Sequence, residues 1–125
     1  MKQQIRTDGA PRPAGPYSQA LVVGDFVYTA GFGPIDPATG KVVGDDVAEQ
    51  TRQVMANLGA VLSAAGVGFD DVVKATVHLE DPHRDFAAFN EVYQEYFTEP
   101  YPVRTTVGST LHGFLVEIDF VVHQG

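Results

Sequence analysis

The chain has 125 residues, 44% of them apolar and 19% charged, which suits one hydrophobic core and lies outside the composition of disordered or membrane-spanning chains. Sixteen acidic side chains against eight basic ones give a formal charge of -8, which repels phosphate backbones and disfavours a nucleic-acid partner. Cysteine is absent, so disulfides, thiolate nucleophiles and thiolate metal sites are excluded together.

Met1 to Pro13 holds no apolar core of the length a secretory signal needs, and no uncharged apolar run approaches the roughly 20 residues that cross a bilayer. The expectation is a single cytoplasmic domain over residues 1–125 with no membrane partner. Ser18–Val23 and Phe26–Ala30 carry β-branched and aromatic residues on either side of Gly24-Asp25, a pair suited to a tight hairpin turn. From Gly31 to Gly44 the prolines and glycines forbid a central strand and predict an irregular loop. Asp45 or Asp46 then offers an N-cap to a helix whose apolar positions run from Val47 through Thr51, Val54, Met55, Leu58, Val61 and Leu62 to Ala65, with Gly66 closing it.

Val73, Ala75, Val77 and Leu79 alternate with Lys74, Thr76, His78 and Glu80, the period of a strand with one buried face. After Pro82, the set Phe86, Phe89, Asn90, Tyr93, Tyr96 and Phe97 has helical spacing, and Pro100 and Pro102 end it. Arg104–Leu111 and Phe114–His123 read as a hairpin around His112-Gly113, with Val116, Ile118, Phe120 and Val122 on one apolar face. This order predicts an α+β domain with two helices packed on one face of a largely antiparallel sheet. The opposite face of the last strand mixes Leu115 and Val121 with Glu117, Asp119 and His123, a composition that fits burial by another subunit.

Several chemical motifs fail. Gly33 to Lys41 has the wrong glycine spacing and too many prolines for a phosphate loop, and Gly31 with Gly33 is no dinucleotide fingerprint. His78, His83, Asp81 and Asp85 straddle a strand end and a helix start, a poor metal-ligand arrangement, so no metal is expected and these side chains read as solvated. No Ser-His-Asp order is evident.

Four residues remain as candidates. Arg104 opens a strand in a chain with few cations, and a guanidinium binds carboxylates through a planar fork; the alternative is a surface ion pair. Glu117 lies in the most apolar strand, where a carboxylate needs a partner or a proton-relay role, unless it and Asp119 only decorate a solvated face. Asn90 interrupts an apolar helical stripe and either tethers a loop or contacts a ligand. Tyr17 follows Gly15-Pro16, which fixes its direction, with a core tyrosine as the alternative.

Gly-Pro-Tyr-Ser-Gln-Ala at 15 to 20, the Gly31 loop to Asp36-Pro37 and Thr39-Gly40, Gln50, Asn57-Leu58, Gly66, Val73-Lys74, Asn90 with Tyr93 and Phe97, Pro102-Val103-Arg104-Thr105 and Glu117-Ile118 together resemble the Rid family, the reactive intermediate deaminases of RidA/YjgF type. The match runs in order over nearly the whole chain. The resemblance implies a chorismate-mutase-like fold, a homotrimer with clefts between subunits, and no cofactor. It also implies hydrolysis of enamines and imines such as 2-aminoacrylate to 2-keto acids and ammonia.

By that resemblance Arg104 clamps the substrate carboxylate and Glu117 positions or activates water. Tyr17 lines the cleft, Asn90 and the backbone at Gly31 shape it, Phe32 borders it, and Thr106 stands on the neighbouring strand wall. The chain departs from the usual Ser-Gly-Gln-Ile-Pro at Ala30 to Pro34, has Thr106 where cysteine is common, and is shorter between Val107 and Glu117, with His112-Gly113 in place of a Leu-Pro loop. Two other readings are open: a trimeric module that binds small carboxylates or partner proteins without turnover, and an endoribonuclease or translation inhibitor, which the acidic charge opposes.

Overall fold

The computed structural model describes residues 1–125, and its first element is one that the sequence pattern does not mark. Lys2–Ile5 forms strand β1 with only Ile5 buried, so there is no alternation to detect. It pairs antiparallel with β2 (Ala20–Val23), which a two-residue turn joins to β3 (Phe26–Thr29) in the expected hairpin. Gly24 takes a φ of +58° in that turn, where a side chain would be strained.

Asp46, the second of the two expected caps, accepts a hydrogen bond from the Glu49 N–H at 2.8 Å and starts α1 (Val47–Ala64). Gly66, at φ +78°, lets the chain leave the helix. A single 3-10 turn leads into β4 (Val72–Leu79), whose entry corrects the sequence reading: Val72 is buried and Val73 is 43% exposed. A bulge between Val72 and Lys74 shifts the register there, and the expected alternation holds only from Ala75 onward.

Asp81 caps α2 (Pro82–Tyr93), with Pro82 in the first turn. The buried side of α2 is formed by Asp85, Phe89, Val92 and Tyr93, so Phe86 stands at its rim, exposed, contrary to its assignment to the apolar stripe. Asp85 is likewise not solvated but buried, held by a two-pronged contact from Arg84.

The final hairpin does not form. β5 (Val103–Gly108) runs parallel to β4, and β6 (Val116–His123) lies between β3 and β4, antiparallel to both. The physical reason is burial. Val116, Ile118, Phe120 and Val122 of β6 are at most 1% exposed, which a central strand can satisfy, whereas β5 has no fully buried residue and takes the edge. α2 supplies the crossover that the parallel β4–β5 pair requires.

The strand order is β1-β2-β3-β6-β4-β5, a mixed sheet with one parallel pair. α1 packs on α2 and β6, and α2 on β4, so one face of the sheet is covered. Cross-strand register places Val23, Phe26, Tyr28, Val103 and Val107 on the open face, all well exposed, together with Glu117, Asp119, Val121 and His123. Leu115 does not belong to that face; it packs against the core before β6 begins. No helix is long and apolar enough to cross a membrane.

Candidate functional site

After β3 the chain leaves the sheet for two residues and returns at Phe32, which exchanges two backbone hydrogen bonds with Ile118 at 2.9 and 3.1 Å. That exchange sets Gly31 against the side chain of Glu117. A Cβ on Gly31 would lie 2.7 Å from the Glu117 Oε2, so any side chain there has to displace the carboxylate, although the backbone angle is an ordinary one. Beside this seam opens a cavity of about 570 Å³, whose lining includes Tyr17, Gly31, Phe32, Phe114 and Glu117 as well as Arg12 and His112. Tyr17 is 51% exposed and its hydroxyl accepts from the Ala14 N–H at 3.0 Å, which disposes of the core-tyrosine alternative.

Three buried amides hold the irregular segments around this cavity. Gln19 accepts from the Thr7 N–H at 2.8 Å and donates to the carbonyls of Thr7, Ala10 and Pro11, fastening the segment that carries Arg12. Asn57 on α1 donates to the carbonyls of Gly33 and Ile35 at 3.0 and 2.9 Å, tying the Gly31 loop to the helix. Gln50 donates to the Gly44 carbonyl and accepts from the Leu115 N–H, so one side chain links both ends of the loop system. Each amide satisfies backbone groups that irregular chain leaves unpaired.

Arg104 lies elsewhere. In the register of β5 it stands opposite Ala75, on the helix-covered side, and its guanidinium carbon is 5.8, 5.4 and 4.8 Å from the ring centroids of Phe86, Phe89 and Tyr93. Three ring faces against one cation are attractive but supply no counter-charge. The ion pairs of the chain are Arg52 with Glu95 and Arg84 with Asp81 and Asp85, which leaves Arg104 without a carboxylate and rules out the surface-pair alternative. Arg104 lines a second cavity of about 300 Å³ with Asn90, Tyr93, Gln94, Tyr101 and Pro102.

The expected constellation is therefore split. Tyr17, Gly31, Phe32 and Glu117 share one cavity, and Asn90 and Arg104 share another. Glu117 stands opposite His78 on the open face of the sheet, so Arg104 and Glu117 point to opposite sides and do not converge within one chain. Thr106, opposite Val77 on the helix side, lines neither cavity. His78 instead contacts the Ser109 hydroxyl through Nδ1 at 2.7 Å, and no three metal-ligating side chains gather anywhere.

Two titrating groups are shifted near these features. Burial raises the Asp119 carboxyl above 3.8, and the charges of His78 and Lys74 pull it partly back. Burial also raises the Tyr93 phenol above 10.0, against smaller opposing effects of the Arg104 charge and of its guanidinium's contact with the hydroxyl. Sequence reading does not single out the Tyr93 hydroxyl, because a tyrosine at a core spacing looks like packing. Nor does it find the cavity's Phe114 wall, which follows a loop of irregular backbone.

The strand order and the paired helices on one face define an α+β fold of RidA type, as expected from the residues. Residues 7–124 match the family model described as Endoribonuclease L-PSP, and the chain belongs to that family. It is 48% identical over 126 residues to a RutC family protein of Pyrococcus horikoshii, spanning 99% of both chains. It is 42% identical over 127 residues to the 2-iminobutanoate/2-iminopropanoate deaminase of Capra hircus, spanning 100% of this chain and 92% of that one. The crystal structure of E. coli TdcF with bound serine matches it at a TM-score of 0.90 and 36% identity, spanning 98% of this chain and 99% of that one.

Proposed function

We propose that the protein hydrolyses small enamines and imines of 2-aminoacrylate type to 2-keto acids and ammonia, at sites formed between the subunits of a homotrimer. The observation that carries this reading is Arg104, a guanidinium in an acidic chain, cradled by aromatic rings and left without any carboxylate of its own. A free amino acid or keto acid supplies that missing carboxylate, and a fork geometry binds it through two charge-assisted bonds. The name of the goat relative and the serine in the E. coli structure agree with a small amino-acid-derived ligand.

The opposed directions of Arg104 and Glu117 support assembly across subunits. β5 is an edge strand, and the open face exposes Val23, Phe26, Tyr28 and Val103, a surface suited to burial against further copies. In such an assembly, Arg104 and Asn90 of one protomer close over the cavity that holds Tyr17, Gly31, Phe32 and Glu117 in its neighbour. Thr106, two residues along the same strand face, borders the closure.

The chemistry asks little of the protein. An enamine takes a proton at its terminal carbon and becomes an iminium; water adds to the C=N carbon and passes one proton to nitrogen, and the C–N bond breaks as the remaining hydroxyl proton leaves, releasing ammonia, forming a carbonyl and returning the proton first taken up. Glu117 orients the water and moves its proton, and Arg104 holds the carboxylate so that the reacting carbon faces that water. No cofactor is called on at any step.

The test is ammonia release from 2-aminoacrylate generated in the assay. A rate above the spontaneous one, lowered about a hundredfold or more by Arg104→Ala through loss of two charge-assisted bonds, is expected. A folded protein that gives only the spontaneous rate leaves a carboxylate-binding module instead.

A further inference from the structure

Tyr93 combines two facts that packing does not explain. The residue is 6% exposed, and its hydroxyl is buried with no aligned hydrogen-bond partner, the one such side-chain atom in the chain, although the Arg104 guanidinium comes close enough to act on it. Buried hydroxyls are nearly always paired, and phenylalanine would fill the same space beside Phe89 and Phe97 without the penalty. The unpaired oxygen also belongs to the ring nearest the Arg104 guanidinium, 4.8 Å from its centroid, in the wall of the Arg104 cavity.

A guanidinium has five N–H donors, and a bidentate carboxylate uses two. Lying over rings, Arg104 reaches the Tyr93 hydroxyl without an aligned hydrogen bond, so nothing yet fixes the plane of its fork. We propose that Tyr93 is a positioning residue for Arg104: when a carboxylate ligand engages the fork, a third N–H of Arg104 donates to the Tyr93 hydroxyl, and this bond sets the angle at which the ligand is held. The oxygen has no aligned partner in the empty site and gains one in the occupied site, a local loss of stability in exchange for binding. This rests on the reading of Arg104 as the carboxylate clamp.

The experiment compares the full-length protein with Tyr93→Phe and Arg104→Ala, using calorimetric titration with 2-oxobutanoate, steady-state imine hydrolysis and thermal unfolding. For Tyr93→Phe the dissociation constant and KM rise roughly tenfold, the worth of one hydrogen bond to a charged group, while kcat stays within about twofold. Its Tm is equal to or above that of the parent, because the unpaired hydroxyl is gone. A residue that serves packing alone would leave KM unmoved. The proposal is overturned if Tyr93→Phe binds 2-oxobutanoate as the parent does, or if it unfolds at a lower temperature, which would reveal a structural partner for the hydroxyl.

The two readings fail in different ways. If the parent binds the keto acid but does not hydrolyse imines, only the proposed reaction falls, and the titration of Tyr93→Phe still decides the role of Tyr93. If Arg104→Ala binds as well as the parent, or the parent does not bind, the clamp and the role of Tyr93 fall together.

Discussion

Arg104 and Glu117 stand on opposite faces of one sheet, Arg104 beside Ala75 under the helices and Glu117 beside His78 on the open side. No rotamer change brings them together, because the sheet itself lies between them, with β4 separating their strands. A site that uses both must take them from different protomers, and this has a consequence that a within-chain site lacks. Arg104→Ala and Glu117→Gln, each strongly impaired alone, are expected to restore activity when their chains are mixed by co-expression or by refolding together. With random assembly about one quarter of the sites join an intact Arg104 to an intact neighbouring Glu117, so about a quarter of the parent's ammonia release is expected. Mixed oligomers that remain inactive would refute the shared site.

The closeness of Gly31 to Glu117 gives a second prediction. A methyl group at position 31 meets the carboxylate at 2.7 Å, and the mobile end of the side chain yields before the backbone does. Gly31→Ala therefore keeps its thermal stability but turns Glu117 from the direction that the proposed reaction needs, and kcat/KM is expected to fall by about tenfold or more. The measurements are the hydrolysis rate and a melting curve on the same preparation. A variant of unchanged rate would show that Glu117 needs no fixed direction.

Much of this was legible in the sequence, for reasons that can be located. The caps at Asp46 and Gly66, the period of Ala75 to Leu79 and the alternation of Val116 to Val122 are local patterns, and local patterns survive folding. What was hidden depends on partners distant in the chain. The pairing of β6 with β3 and β4 rather than β5 is decided by competition for the central position, and hairpin logic, which assumes that neighbours in sequence pair, misplaces it. The bulge at Val73 shifts a face by one residue with no composition signal. Arg104 and Glu117 were identified by residue type and context, but nothing in a linear pattern reports that a parallel strand turns one of them to the other side.

Gln19 offers a test of the cavity's outer wall. Its amide satisfies one N–H and three carbonyls of the segment from Thr7 to Pro11, which has no regular structure beyond β1 to hold it. Gln19→Ala leaves those groups to water or to one another and is expected to lower unfolding free energy by about 2 kcal/mol in a urea titration. Limited proteolysis is expected to cut near Arg12 first. If cleavage begins elsewhere, or stability is retained, the segment is secured by contacts other than this amide.

Asp119 sets the sign of one pH effect. Its carboxyl sits on the open face, and burial raises it above 3.8 while His78 and Lys74 pull it partly back. A raised acid favours its protonated form in the folded chain, so its stabilising contribution is complete below 3.8 and is lost as pH climbs through the folded-state value. Asp119→Asn imitates the protonated form at every pH. Urea midpoints taken from about pH 3 to about pH 7 at one protein concentration should coincide for the two chains at the acid end and separate upward, the asparagine variant being the more stable at neutrality. Parallel curves would mean that the carboxyl is as well hydrated folded as unfolded, and a lower midpoint for the variant would mean that His78 and Lys74 outweigh burial.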